Sequence, residues 1–415
     1  MKRLRPSTPG LKHLAFFEAL GEGSESSPTH RAATAGLLTL RLIDHWFLAG
    51  PSMVEPESVS VRSVRQAIMT IPANDPQREV LLGLVNTMQT LREVDLQPVL
   101  PRVFAYAGIL ERRGELAMAA DVYESVVRLG SEEYDADLII DSHMRLGYCH
   151  RYLGALPVAE SAYVCAARIA KRVGEPARVL RSEIGLANVM IARGDLPKAE
   201  EMLTAAALES EQLGLGELHA SALHSRAVVA QRRGHIDQAV CFAFDALRRT
   251  AIPRERDRML GDVGAFLIVL ERFDAARDAL MVLEATATDE VVRLMAKVNL
   301  VTLGARSGDR ALFDHWRASL AGAELPAESQ ANLMIESARG LRRFGEPEQA
   351  TKLLRAALAF ARDRGLNRTL FEAEALLHER EAVVNTQSGG MRAERHDPTA
   401  YVARELRQMA AALAA

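Results

Sequence analysis

The chain is poor in aromatics, cysteine and lysine, and has no marked excess of either charge; each shortage removes a class of protein. Aromatic residues make up 5% of the 415 positions, and strand formers are scarce beside Ala, Leu, Arg and Glu, so composition points to helix. Cys149, Cys165 and Cys241 are too few and too widely spread for a disulfide framework or a metal cluster, which suits a reducing compartment. A formal net charge of -3 gives no footing for binding nucleic acid or an anionic membrane. No apolar run approaches the roughly 18 residues that would span a bilayer. Met1 to Arg5 is basic, but Pro6 to Gly10 stands where a secretion signal would have its apolar core. The expectation is a cytoplasmic helical protein with neither a nucleic acid nor a membrane as partner.

A repeat organises most of the chain. Gly114, Gly154, Gly194 and Gly234 stand 40 residues apart, and the register continues at a spacing of 37 through Glu271, Gly308 and Gly345. Five residues after these points lie Ala119, Ala159, Ala199, Ala239, Ala276, Phe313 and Ala350. Seven residues before them lie Ala107, Gly147, Ala187, Ala227, Gly264, Val301 and Ala338. Chance does not phase three columns in this way. Each unit reads as two helices around a tight turn: the Gly takes a left-handed C-cap, and Pro157 and Pro197 fall in the first turn of the second helix, where a missing N–H costs little. Small side chains on both helices let the axes cross closely. Tyr123, Tyr163, Leu203, Leu280 and Leu354, nine residues past the turn, supply the bulk that fills the layer.

These columns resemble the tetratricopeptide repeat (TPR) over residues 100 to about 360. The second unit matches best, through Leu146, Gly147, Tyr148, Gly154, Leu156, Ala159, Tyr163 and Ala166. The family's period is usually about 34 residues, so this array has longer second helices or loops, as in the TPR-like arrays of some bacterial signalling and transcriptional regulators. The sixth unit departs at Val301 and Phe313. The resemblance implies an all-α fold, a right-handed superhelical solenoid of stacked antiparallel helix pairs, about seven of them over residues 100–384.

Flanking this array, residues 1–28 read as a mobile lead with a turn or two of helix around Leu11 to Leu20. Residues 29–99 read as an N-terminal helical cap, with helices at Thr29 to Ala49, Glu57 to Thr70 and Asp75 to Glu93. A separate effector domain is the rival, but neither a compact helix-turn-helix signal nor a basic second helix is present. Residues 385–398 read as a flexible linker. Residues 399–415 form an amphipathic helix with Tyr401, Val402, Leu406, Met409 and Leu413 on one face. It could cap the array, or occupy the groove of its own or a neighbouring array, which would allow self-association through residues 399–415.

Chemistry finds no foothold. There is no Walker loop, no strand-linked Gly-x-Gly-x-x-Gly, no His-Glu-x-x-His and no Gly-x-Ser-x-Gly. His219 and His224 are five apart and do not share a helical face. Cys149 and Cys165 fall on facing helices of one unit and read as small buried residues ahead of a redox pair. No enzyme, cofactor or metal is expected. Positive charge is nearly all arginine, the only lysines being Lys2, Lys12, Lys171, Lys198, Lys297 and Lys352. Arg113, Arg193, Arg233 and Arg343 directly precede the turn glycines, with Arg112, Arg232 and Arg342 beside them. They either offset the carbonyl charge at helix C-termini or form a basic rim for a partner's carboxylates.

In the resembling family the first helices of successive units line a concave surface, and ligand contacts come ten, six and three residues before the turn. Carried over, those offsets imply a peptide-binding groove of Met144, Tyr148, Arg151, Ile184, Asn188, His224, Gln231, Arg339 and Arg342. Asn188 resembles the family's peptide-backbone contact. Ile184 stands where the family's carboxylate clamp has a Lys, so a chaperone C-terminal tail is not the expected ligand. The implied function is a non-enzymatic scaffold that binds a protein or peptide in this groove. The alternative is a sensor of a bacterial signalling pathway whose superhelical pitch changes when a peptide or small ligand binds.

Overall fold

The computed structural model describes residues 12–22, 24, 27–55, 58–378 and 397–414. Residues 1–11 of the expected lead, the array beyond His378 and the expected linker up to residue 396 lie outside the described residues. Every regular element among the described residues is helical. Four helices precede the repeats: α1 (Leu14–Glu22), α2 (Pro28–Ala49), α3 (Val59–Met69) and α4 (Pro76–Thr90), with a 3₁₀ turn at Pro51–Val54.

Then come the pairs: α5 (Leu100–Arg112) with α6 (Leu116–Leu129), α7 (Ala136–Tyr152) with α8 (Leu156–Val173), and α9 (Pro176–Arg193) with α10 (Leu196–Gln212). They continue as α11 (Gly216–Arg232) with α12 (Ile236–Arg249), and α13 (Pro253–Val269) with α14 (Phe273–Thr286). The last are α15 (Glu290–Ser307) with α16 (Arg310–Ser319), and α17 (Ala327–Arg343) with α18 (Pro347–Asp363). A single helix, α19 (Asn367–His378), follows, and α20 (Ala400–Ala414) ends the described chain.

The repeat columns explain these pairs. The six turn glycines have φ between 77° and 86°, the left-handed region in which other residues are strained. Glu271 occupies the same place at φ 59°. Ala119, Ala159, Ala199, Ala239, Ala276 and Ala350 are fully buried, as are Ala107, Ala187 and Ala227. Close crossing is needed where a large residue must fit: a Cβ on Gly147 or on Gly185 would lie 2.6 Å or 2.2 Å from the ring of Tyr163. The sixth pair keeps the architecture despite Val301 and Phe313, both fully buried, because the bulk is offset elsewhere. A Cβ on Gly304 would lie 2.6 Å from the Phe313 nitrogen, and one on Gly340 2.3 Å from its Cε2.

The chain divides into two compact units, Met1–Met202 and Leu203–Ala415. In the first, α4 packs on α5, and the Tyr106 side chain of α5 reaches α2, where a Cβ on Gly36 would lie 2.1 Å from its hydroxyl. The helical turns expected in the lead are docked on α2 and α6. Phe16 is fully buried, and the His13 side chain lies with Nδ1 2.8 Å from Asp121 and Nε2 3.5 Å from Asp44. Asp44 also pairs with Arg128 at 2.7 Å and Lys12 at 3.3 Å. First helices α5, α7 and α9 touch in succession, whereas α6 and α8 make no comparable contact. The unit therefore curves with its first helices inside.

The second unit repeats that asymmetry: α13, α15, α17 and α19 touch in succession, and α12, α14, α16 and α18 do not. Helix α20 packs on α14 and, to a lesser extent, on α12. Val402 and Leu406 are fully buried there, and the Tyr401 ring meets Phe244 edge-on at 5.9 Å. Within this unit the C-terminal helix is thus placed on second helices and not on the first-helix face. It lies on the second helices of the unit's first two complete pairs, with Val402 and Leu406 of the expected stripe buried against its own chain and Leu413 49% exposed.

Candidate functional site

In the first unit the inner face is built on α5, α7 and α9, whose mutual contact brings side chains one repeat apart within reach. Glu111, at the end of α5, accepts from the Tyr123 hydroxyl at 2.9 Å and pairs with Arg145 of α7 at 3.1 Å. Burial and the adjacent Glu111 carboxylate push the Tyr123 hydroxyl far above its ordinary value. Along α7, Tyr148 and Tyr152 are one turn apart, with ring centres 4.7 Å from each other. The Arg151 guanidinium lies 4.3 Å from the Tyr152 ring centre and 5.8 Å from that of Tyr148. Its Nε is buried without a hydrogen-bond partner. Tyr163 sits behind it, pushed up to about 12 chiefly by burial, although the Arg151 charge works the other way.

Of the groove residues expected in this unit, Tyr148 and Arg151 fall into this one cluster, and Asn188 is half-buried on α9. Met144 and Ile184 are buried at 8% and 4% exposure, so they pack the helices together and present almost no surface. Tyr152, 57% exposed, and Arg145 belong to the cluster and were missed. The i, i+4 spacing of Tyr148 and Tyr152 around Arg151 was the available signal. Arg178 was missed as well; it joins α9 to α7 through Asp141 at 3.4 Å and Asp137 at 3.1 Å.

The second unit treats its expected residues differently. His224 on α11 is buried, its Nε2 2.6 Å from Asp262 of α13. Arg339 on α17 reaches Glu372 of α19 at 2.7 Å and lies 3.5 Å from Glu336. Burial pushes the Glu336 carboxyl up, against the pull of Arg306 and Arg339. Gln231 is exposed and Arg342 half-buried near the ends of α11 and α17. His224 and Arg339 are therefore joints between neighbouring helices. Such joints recur at one-repeat separations: 34 for Glu111 and Arg145, 37 for Asp141 and Arg178, 38 for His224 and Asp262, 33 for Arg339 and Glu372.

Three of the four arginines directly before the turns, Arg113, Arg193 and Arg343, are also engaged within the chain. Arg113 pairs with Asp75, the N-cap of α4, at 2.9 Å, and Arg193 with Glu160 at 2.5 Å. Arg343 donates to the carbonyls of Arg306 and Ser307 at the end of α15. Arg343 thus serves helix-end carbonyls of the preceding pair, whereas Arg113 and Arg193 meet carboxylates of their own chain. The three cysteines are unpaired. Among the described residues, no three His, Cys, Asp or Glu side chains lie close enough to hold a metal ion, and no helix is long and apolar enough to cross a membrane.

No protein-family model matches the chain, and comparison with curated proteins finds no match. Among solved structures, the apo form of the quorum sensor NprR from B. thuringiensis is similar over 83% of this chain and 92% of its own, at a TM-score of 0.50 and 12% identity. A Rap protein complexed with Competence and Sporulation Factor matches 81% of this chain and 99% of its own, at 0.49 and 12%. The apo form of RapI matches 79% and 98%, at 0.47 and 12%. At such identity the likeness to NprR is one of fold. With the buried small-residue columns and left-handed turns, it makes this chain a TPR-like helical repeat array.

Proposed function

We propose that this chain is a non-enzymatic module that captures a peptide or protein segment on the first-helix face of its pairs. The observation that carries the reading is the Tyr148, Arg151 and Tyr152 cluster on the inner face of the first unit. Aromatic and arginine side chains dominate binding energy at protein interfaces, and a guanidinium over a ring is held ready to meet a carboxylate or a carbonyl. Asn188 on the adjacent first helix offers a donor and an acceptor to a peptide backbone. Met144 and Ile184 support the face from beneath; Gln231 and Arg342 are the residues of the second unit that remain available to a ligand by exposure. The unpaired cysteines and the absence of a spanning helix among the described residues fit a cytoplasmic setting.

The test is selection of displayed random peptides on the immobilised full chain, followed by titration of the enriched sequences. Tyr148→Ala combined with Asn188→Ala should weaken binding by roughly tenfold or more, the loss of one or two interface anchors, with helical content and melting unchanged. Equal binding by that double variant removes this face from consideration.

A sensor reading adds that capture alters the spacing of the pairs. NprR is a quorum sensor by its description; for this chain, support comes from the sparse contact between successive second helices, which leaves the pairs room to pivot. Compaction in small-angle scattering on adding a selected peptide separates the sensor from a passive scaffold.

A further inference from the structure

We propose that the cleft walled by α1, α6 and the end of α7 is a binding site for a small aliphatic diamine or polyamine, separate from the first-helix face. The cleft has a volume of about 640 Å³ and lies wholly within the first unit, a size common among small-molecule sites. Its rim is apolar. Leu14 of α1 and Leu153 after α7 are 52% and 47% exposed there, and Ala120 and Val127 of α6 continue the apolar lining. The methylenes of an aliphatic chain gain by covering such surface.

Charge sorts the rest of the lining into spent and unspent groups. Lys12 and Arg128 both pair with Asp44, at 3.3 Å and 2.7 Å, and His13 lies 2.8 Å from Asp121 and 3.5 Å from Asp44. These side chains answer one another. Glu18 of α1 and Glu124 of α6 also line the cleft and are exposed, and neither enters an ion pair with a lysine or arginine among the described residues. His150 of α7 stands with them. Burial pushes its pKa down against the pull of Glu124, so at neutral pH its ring is an uncharged hydrogen-bond acceptor. Two carboxylates on different helices and a neutral imidazole suit a ligand with more than one ammonium group.

His13 shows that the cleft is a built feature and not a chance gap. At φ 64° it holds a left-handed backbone that costs residues other than glycine. Its side chain is 2% exposed, and Nε2 is buried without a well-formed hydrogen bond, Asp44 being 3.5 Å away. Strained backbone and unsatisfied buried polar atoms persist where the surrounding structure over-determines them, and they gather at ligand sites. The bend directly precedes Leu14 and so sets the α1 wall that carries Glu18. A diamine held by Glu18 and Glu124 spans α1 and α6 and ties α1 to the first repeat pair.

The test titrates the full chain with hexamethylenediamine, read by calorimetry and by amide exchange of residues 14–22, with hexanediol and hexanoate as neutral and anionic probes. The expected result is saturable one-to-one binding of the diamine alone, with exchange of α1 slowed. Glu18→Gln combined with Glu124→Gln should weaken it by about tenfold or more, the loss of a charge-assisted hydrogen bond, with helical content and melting unchanged. Glu18→Lys combined with Glu124→Lys should turn the preference to hexanoate. Equal binding of the diol overturns the proposal, as does the lack of any saturable diamine binding. Diamine binding that the Gln pair leaves intact places the site elsewhere and overturns it too. A diamine that binds only when Lys2, Arg3 and Arg5 are all replaced by Gln assigns the cleft to the chain's own basic start and overturns the external ligand.

Discussion

The ring of Phe313 occupies the space that any side chain on Gly340 would need: a Cβ there would stand 2.3 Å from Phe313 Cε2. Alanine is the residue at the place of Phe313 in the six other pairs. The bulk lost at Gly304 and Gly340 was regained at Phe313, so the layer volume is conserved while the order of large and small is reversed. Gly340→Ala should therefore cost about 1–3 kcal/mol by overpacking, and Phe313→Ala about 3–5 kcal/mol through the cavity it leaves. The double variant should cost clearly less than the sum, because each change relieves the other. Urea unfolding of the four proteins checks this; simple additivity would mean the two sites are not coupled.

Glu271 holds a left-handed turn that glycine holds in the other six units, at φ 59°. Strain there costs about 1–2 kcal/mol and glycine's extra freedom in the unfolded chain takes back about half of it. Glu271→Gly should stabilise the second unit by roughly 0.5–1 kcal/mol, a rise of about 1–4 °C in melting temperature for a unit of this size. A fall on calorimetry would mean that the Glu271 side chain makes a contribution larger than the strain.

His13 ties α1 to α2 and α6. Burial works against its charged form, but hydrogen bonds to Asp121 and Asp44 outweigh it and raise its pKa above the ordinary 6.5. That contribution is complete below 6.5 and fades as pH rises through the folded value. Asp44 is shifted the other way: desolvation is outweighed by His13, Arg128 and Lys12, and its pKa falls below the ordinary 3.8. Its contribution is present above 3.8 and fades as pH drops toward the folded value. The anchor is therefore strongest from about pH 4 to 6.5. After correction for intrinsic rates, amides of residues 14–22 should exchange faster at pH 8.5 than at 5.5, and His13→Gln should flatten that difference.

Cys149 is fully buried, and burial with the nearby Glu111 carboxylate pushes its thiol up to about 12. At pH 8 the native protein should leave Cys149 unlabelled by a thiol reagent while the half-buried Cys165 reacts, and Cys241, which burial pushes up and which donates to the Pro398 carbonyl, should react slowly, since reactivity needs both thiolate and access. Mass mapping of the labelled peptides decides it. Rapid labelling of Cys149 would show that α7 opens locally.

Much of the fold was legible because a packed hairpin repeats its needs in place. Ala159 must be small, Gly154 must turn left-handed, and the same demands recur in the next pair, so three columns announce every helix from α5 to α18. The candidate site was legible only in part. Tyr148 and Arg151 cluster, whereas Met144 and Ile184 went into packing and His224 and Arg339 into pairs with Asp262 and Glu372. An offset from a turn tells which way a residue points, but a neighbour one repeat away decides whether it is spent there.

By itself, then, the sequence determined the helices, their pairing and the turns between them, because these depend on side-chain size and backbone freedom within about forty residues. Tertiary structure alone decided three further things: that Phe313 is accommodated by two glycines on other helices, that Arg113, Arg193 and Arg343 are engaged by helices that precede their own, and that α20 packs on α14 and α12. The reason is common to all three. Each rests on which surfaces curvature brings together, and curvature comes from the unequal contact of first and second helices summed over many pairs, a quantity no single segment of chain records.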